Sequence, residues 1–559
     1  MRKLYTSSGE ALQGRPWQDY PRPQMVREDW LNLNGDWFFR SEPDGPGGGA
    51  AQQGLIRVPF CPESLLSGVK EAPKPGDRLD YRRSFTIPDE WRGKRILLHF
   101  GAVMRACEAQ INGRTVAQHN NGYLPFSADV TEYLREGANE LRVRCDNDLD
   151  PRFPWGKQTG KRGGMWYTPC SGIWQSVWLE PVPQDYIRAL HITNGADWVE
   201  IEAEGVTEGR VELDGSEYPL RDGKARIEIK NPRHWSPEDP YLYEFALTSG
   251  KDRVSSYFAL RTLSTETVDG VPRLCLNGKP YFFNGLLDQG YWSDGLYTPA
   301  SPACFEDDIR AMKALGFNTL RKHIKIEPEL FYYACDRLGM VVFQDMVNNG
   351  TYRFFRDTLL PTLRVQRLDD RRLNRDPETR RIFLQAMEDT VRQLRNHPCV
   401  CLWTIFNEGW GQFCADEAYD RLKSLDPSRF VDSSSGWFRQ KRSDVDSRHV
   451  YFVEPKPGTG PLPQLLSEFG GYVWKDPAHS FNLDKTYGYR IFRDRESFVS
   501  ALRELYRTLI PLKQRGLCGA VYTQVSDVED ETNGLLTFDR RVQKVRPEEL
   551  RPIMDELLK

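Results

Sequence analysis

Two periods of apolar residues divide the chain. Up to about residue 264, apolar positions recur every second residue in short runs, and turn dipeptides such as Asn112-Gly113 and Asn121-Gly122 separate the runs. Alternation of that kind predicts half-buried β-strands. Strands are expected at residues 81–87, 95–100, 107–111, 140–145 and 173–179, with a strand start and turn over 30–37 and a flexible glycine-rich loop at 45–49. The Pro-rich Pro181-Val182-Pro183 predicts a joint. Beyond it, runs at 198–203, 209–213, 225–229 and 242–248 predict further strands. Residues 1–183 therefore read as one β-sandwich and 184–264 as a smaller, immunoglobulin-like β-sandwich.

From residue 265 to 559 the pattern becomes strand–helix alternation, the signature of a parallel barrel. Eight strands are expected, at 279–287, 318–324, 340–345, 400–406, 429–434, 448–453, 464–468 and 518–525. A helix from Ser301 carries Phe305, Ile309, Met312 and Leu315 on one face. Further helices are expected at 328–339, 377–395 and 547–558. The fold class that follows is multidomain: two β-sandwiches, then a C-terminal (β/α)8 TIM barrel.

The fourth barrel strand is an apolar run that ends abruptly in Asn407-Glu408-Gly409-Trp410. A carboxylate at the end of a buried strand is costly unless something uses it, and strand C-termini form the mouth of such barrels. A capping Asn-Glu pair in a turn is the plainer reading. A second stretch of the same form, Leu465-Leu466-Ser467-Glu468-Phe469-Gly470-Gly471, follows 60 residues later. Two carboxylates on two barrel strands meet the requirement of retaining glycoside hydrolysis: one acid to protonate the leaving oxygen, one carboxylate to attack the anomeric carbon.

In these two motifs the sequence resembles glycoside hydrolase family 2, the family of β-galactosidases, β-glucuronidases and β-mannosidases. Asn407-Glu408 matches that family's acid/base motif, and Ser467-Glu468-Phe469-Gly470 its nucleophile motif. Residues 106–113 with 122–126 look like the family's sugar-binding-type jelly roll, 166–174 match its last block, and 235–243 resemble a loop of its second domain. The resemblance implies Glu468 as nucleophile and Glu408 as acid/base, with a raised Glu408 pKa expected from the neighbouring charge. It implies that Asn407 donates to the sugar 2-hydroxyl, that Asp288 contacts sugar hydroxyls and that Trp292 stacks on the ring. His323 stands near the family's sugar-contacting histidine, in Arg321-x-His323 rather than Arg-x-x-His, and Tyr451 near the tyrosine that bonds the nucleophile. Trp474 is a candidate for the pocket wall, and Asp345 for a support of Arg321 or His323. Glu454, Glu529 and Glu531 have poorer contexts.

Composition narrows the rest. The 559 residues carry a net charge of −3, which gives no reason to expect nucleic acid or an anionic membrane as partner. The 11 cysteines are scattered, without zinc-ligand spacing, and read as reduced buried thiols. No cofactor or metal is expected. The first 17 residues lack a signal-peptide core, and no apolar run is long enough to span a bilayer. A cytoplasmic enzyme acting on carbohydrate is the expectation, with homo-oligomerisation open.

Sugar identity turns on residues 531–534. The β-glucuronidases of the family carry Asn-x-Lys before the matching glycine, whereas this chain reads Glu531-Thr532-Asn533-Gly534. The lysine for a uronate carboxylate is missing there, although Lys322, Lys325 or Arg353 could supply charge from elsewhere. The expectation is a retaining exo-β-glycosidase for β-galactosides or β-galacturonides. The alternatives are β-glucuronidase or β-mannosidase specificity, or a non-catalytic carbohydrate-binding protein on the same fold.

Overall fold

The computed structural model describes residues 1–43, 52–363, 365, 368–456, 458 and 460–559. The loop expected at 45–49 lies outside the described residues. The first domain is a sandwich of two antiparallel sheets. One has six strands, in the order Gln52–Val58, Gly35–Glu42, Arg78–Thr86, Ala138–Asp146, Cys107–Ile111, Arg114–His119. The other has four: Leu31–Asn32, Val177–Val182, Arg95–Phe100, Phe126–Asp129. The strand Gly35–Glu42 alternates, with Trp37 and Phe39 pointing inward to the core that holds Tyr81, Leu98, Val143 and Leu179 between the sheets. Pro181 and Val182 stay inside a strand paired with Arg95–Phe100, so the chain leaves this sandwich at Pro183.

The second sandwich packs a three-stranded sheet (Ala189–Asn194, Trp198–Glu204, Lys224–Glu228) on a four-stranded one (Ser216–Leu220, Gly209–Leu213, Tyr243–Ser249, Asp252–Phe258). Its core includes Ile201, Val211, Leu247 and Val254. Arg27 ties the two sandwiches together: buried, it bonds Asp252 through Nε and Nη2 at 3.0 and 2.8 Å and reaches Glu180 at 3.1 Å. A three-stranded sheet, Leu263–Val268, Val271–Leu276 and Lys279–Pro280, then leads into the barrel. It splits the single strand expected at 279–287: Lys279-Pro280 pairs with the hairpin, and the barrel strand begins at Phe283.

The barrel strands are β1 (Phe283–Asp288), β2 (Thr319–Lys322), β3 (Val341–Asp345), β4 (Val400–Asn407), β5 (Phe430–Ser435), β6 (Asp446–Val450), β7 (Gln464–Phe469) and β8 (Leu517–Tyr522). They form one all-parallel sheet in the order β5-β4-β3-β2-β1-β8-β7-β6, whose two ends approach each other. Every residue of β4 is buried, as a strand covered on both faces must be. The surrounding helices are α1 (Ala303–Leu315), α2 (Glu329–Leu338), α3 (Pro377–Leu394), α4 (Ala415–Leu425), α5 (Arg495–Gln514) and α6 (Pro547–Leu558). Helix α1 buries the predicted Phe305, Ile309, Met312 and Leu315 and stops at Gly316, whose φ of 101° supplies the left-handed cap. Asp376 caps α3 by accepting from Thr379 N at 2.8 Å. All eleven cysteines are free, and all but Cys414 are buried. Among the described residues no helix is long and apolar enough to cross a membrane.

One loop of the first sandwich lies across the barrel mouth. Residues 151–170 run between the strands Ala138–Asp146 and Gly172–Ile173 and are pinned at two barrel exits. Beyond β3, Gly350 N bonds Pro151 O at 2.6 Å, Trp155 N bonds Asn348 O at 3.0 Å, and Trp155 Nε1 bonds Gly350 O at 3.0 Å. Beyond β8, Glu529 accepts from Thr168 N at 3.1 Å and from Arg162 at 3.3 Å.

Candidate active site

The C-terminal ends of β3, β4, β6 and β7 converge on Arg321 at the end of β2. This guanidinium is 1% exposed, so each N–H needs a protein partner. Nε donates to Asp345 Oδ1 at 2.9 Å, Nη2 to Asn407 Oδ1 at 2.8 Å, and Nη1 to Ser467 O at 2.9 Å and Glu468 Oε1 at 3.1 Å. A planar fork thus ties the ends of β2, β3, β4 and β7, a geometry that a lysine's point charge cannot copy.

Of the two carboxylates Glu468 is the deeper, its side chain 6% exposed. The Tyr451 hydroxyl donates to its Oε2 and also meets Thr523 Oγ1 at 3.0 Å. Burial alone would raise the Glu468 pKa. The His449, Arg321 and His323 rings and guanidinium, with the Tyr451 bond, outweigh it and hold the carboxyl down at about 2. The same negative neighbour, added to burial, pushes the Tyr451 phenol well above its usual value.

Glu408 follows the last residue of β4 and adopts a φ of +51°. A left-handed conformation at a non-glycine costs about 1 kcal/mol or more and clusters at functional turns. Its amide bonds Ser435 O at 2.9 Å, and its side chain keeps 15% exposure toward the mouth. His449 lies between the two carboxylates: Nδ1 is 2.8 Å from Glu408 Oε1 and 3.6 Å from Glu468 Oε2, while Nε2 meets Ser435 Oγ at 3.1 Å. Room for this ring comes from Gly436 (φ +85°), where a Cβ would stand 2.8 Å from the imidazole. Glu408, His449 and Glu468 each offer a ligand atom within 4.8 Å of the others. A cation bound there would also face the Arg321 guanidinium 3.1 Å from Glu468, an opposing charge.

Asn407 has its Oδ1 held by Arg321, which turns Nδ2 away; that buried donor has no partner among the described residues. His323 Nδ1 meets Asp345 Oδ2 at 2.9 Å, so Asp345 supports both Arg321 and His323. Burial first, then the Lys157 charge, lowers the His323 pKa.

Three expected residues stand outside this network. Asp288, last in β1, is paired in register with Lys322 and bonds its Nζ at 2.5 Å. Lys322 and Lys325 both also bond Glu327, at 2.9 and 2.8 Å, so these cations are already neutralised. Trp292 folds back onto α1, edge-on to Phe305 at 6.1 Å with the Arg540 guanidinium 4.1 Å over its ring. That face is covered, which corrects the expectation that Trp292 stacks on a sugar. Trp474 is half-buried and packs against the barrel core. Of the other carboxylates, Glu454 is exposed, Glu529 is engaged by the loop 151–170, and Glu531 accepts from the Tyr167 hydroxyl and from Asn533 Nδ2 at 3.0 Å.

Several site residues escaped the sequence reading. His449 stands two positions before Tyr451, and only the β6–β7 register brings it against Glu468. An aromatic wall also forms, from both domains: Trp166 stacks on Trp155 at 5.4 Å and meets Trp410 at 5.2 Å and Tyr352 at 4.9 Å. The one available signal was the density of Trp at 155, 166 and 410.

This order of domains is that of a family with known relatives. Residues 55–208 match "Glycosyl hydrolase 2 galactose-binding domain-like", residues 191–261 "Glycosyl hydrolases family 2", and residues 269–457 "Glycosyl hydrolases family 2, TIM barrel domain". The chain belongs to glycoside hydrolase family 2. A putative β-glucuronidase of Formosa agariphila is 26% identical over 457 residues, covering 75% of this chain and 38% of that protein. The chain spans only about two fifths of the length of the first such relatives. A β-D-glucuronidase of Dictyoglomus thermophilum superposes with a TM-score of 0.73 at 19% identity, over 97% of this chain and 98% of its own. A β-galacturonidase of Eisenbergiella tayi superposes with 0.69 at 20% identity, over 96% and 99%. At these identities the superpositions speak for the fold.

Proposed function

We propose that the chain is a retaining exo-β-glycosidase that hydrolyses terminal β-D-glycosides by double displacement, with galactosides or galacturonides as its glycone class. One observation carries the reading: ligand atoms of Glu408 and Glu468 lie within 4.8 Å at the barrel mouth. Double displacement uses carboxyl groups about 5–5.5 Å apart, while inversion leaves roughly 6.5–9.5 Å for a water.

In the first step a Glu468 oxygen attacks the anomeric carbon. The bond to the leaving oxygen breaks, and Glu408 gives that oxygen its proton. In the second step Glu408 takes a proton from water, whose oxygen attacks the same carbon and releases Glu468. Glu468 suits the nucleophile because its neighbours hold it ionised and fix its rotamer. Glu408 suits the acid/base because it is the more exposed carboxylate and must exchange protons with the leaving group and with water. The free Nδ2 of Asn407 suits a donor to the sugar 2-hydroxyl.

The test uses activated nitrophenyl β-glycosides. Glu468→Ala should lose turnover on every substrate. Glu408→Ala should keep the first step, stall as the glycosyl-enzyme, and regain turnover with azide as a β-glycosyl azide. Each lost acid or base role costs typically 10²–10⁴-fold. Inverted product by NMR refutes the mechanism.

A further inference from the structure

We propose that Lys157 of the first sandwich is the receptor for a carboxylate on the glycone, so that the pocket is built for uronides rather than neutral galactosides. This rests on the glycosidase reading and adds the substrate's charge to it.

Lys157 lies in the loop that crosses the barrel mouth. Its backbone is fixed, since Tyr167 N bonds Lys157 O at 3.0 Å and the next residue, Gln158, bonds Tyr123 Oη at 2.9 Å and Cys170 N at 2.6 Å. As a residue Lys157 is 7% exposed. Yet among the described residues its ammonium has no carboxylate partner and no hydrogen-bond acceptor; its contacts are two ring faces, Tyr167 at 5.6 Å and Trp410 at 5.8 Å. Both distances are near the outer limit of cation–π attraction. A buried cation is normally paired, because losing water without gaining an anion is costly. Three other basic groups near the mouth have carboxylate partners: Lys322 with Asp288 and Glu327, Lys325 with Glu327, and Arg162 with Glu529. Of these four, Lys157 is the one without a carboxylate partner among the described residues.

The surroundings point it at the substrate. Trp410 follows Glu408 by two residues, and its ring also packs at 6.3 Å from His323, beside Arg321. The position that would carry the familiar uronate lysine holds Glu531-Thr532-Asn533, and Glu531 bonds the hydroxyl of Tyr167, the ring beneath Lys157. The charge missing from the β8 exit is thus supplied across the mouth by the loop of another domain.

Initial rates on nitrophenyl β-D-galacturonide, β-D-glucuronide and β-D-galactoside test this in the full chain. The wild type should prefer a uronide to the galactoside. Lys157→Met should lower the uronide-to-galactoside ratio of kcat/KM by about 10²-fold, the usual scale for stripping a partner from a desolvated charge pair. Lys157→Arg should keep the ratio within about tenfold, given that both side chains carry one positive charge. A wild-type preference for the galactoside, or equal loss on charged and neutral substrates, overturns the proposal. Calorimetric binding of free D-galacturonate and D-galactose separates this from failure of the glycosidase reading. Without any turnover, galacturonate binding that falls at least about tenfold in Lys157→Met still supports the receptor. Equal affinity for the two sugars, or no galacturonate binding by the wild type, overturns it. Circular dichroism of both variants checks the fold.

Discussion

Arg321→Met removes the cation on which the site is centred, and its consequences can be sized. Arg321 Nη1 stands 3.1 Å from Glu468 Oε1. At an effective dielectric constant of about 20, unit charges at that distance interact by roughly 5 kcal/mol. Both charges are spread over several atoms, so about half of that, near 3 kcal/mol, is the expected net loss. At 1.4 kcal/mol per unit, the Glu468 pKa should rise by about 2. The wild-type carboxyl is held at about 2, so the variant's should lie near pH 4. The sign follows from linkage: a carboxyl depressed in the folded state adds stability above its unfolded pKa and loses it as pH falls through the folded value. Raising the folded value therefore removes stability at neutral pH. Breaking a buried pair costs about 3–5 kcal/mol, and here Asp345 also loses its guanidinium. Two assays read the outcome. Steady-state rates from pH 3.5 to 8 should show an acid limb near 4 that the wild type lacks, and urea unfolding followed by tryptophan fluorescence should show the barrel transition at lower urea. A variant that loses activity with no acid limb above pH 3.5 and no loss of stability would refute the charge argument.

Two further outcomes follow from the site. His449→Gln cannot keep both ring contacts, to Glu408 Oε1 and to Ser435 Oγ, and bonds to charged groups are worth about 1.5–3 kcal/mol; kcat/KM should fall by about 10–10²-fold, and a loss under twofold rejects the assignment. Trp166→Ala removes three ring contacts at about 0.5–1.5 kcal/mol each, so KM should rise about tenfold and the loop 151–170 should become open to limited proteolysis, with an unchanged KM and cleavage pattern counting against the aromatic wall.

Local pattern carried much of this chain. Strand alternation marked 107–111, whose Cys107, Ala109 and Ile111 are buried in the first sandwich, the helical period put Phe305, Ile309, Met312 and Leu315 on the buried face of α1, and the apolar run into Asn407-Glu408 marked the end of β4. These features depend on neighbours within a few residues, and periodicity reports them directly. Fold class was therefore legible, and so was the meeting of Glu408 and Glu468 at the barrel mouth, because strand C-termini of a parallel barrel must meet.

What the sequence did not contain is which groups cancel each other. Asp288 and Trp292 sit at a strand end as an active-site residue would, but cross-strand register gives Asp288 to Lys322 and a backward turn gives Trp292 to Phe305 and Arg540. His449 becomes the bridge between Glu408 and Glu468 only because β6 and β7 are staggered by a register shift at Arg448/His449. Lys157 lies about 250 residues before Glu408, in a different domain, and nothing local distinguishes it from a solvated surface lysine. Only tertiary structure decides whether a charge has a partner, because desolvation and Coulomb energy depend on distances across the folded chain and not along it.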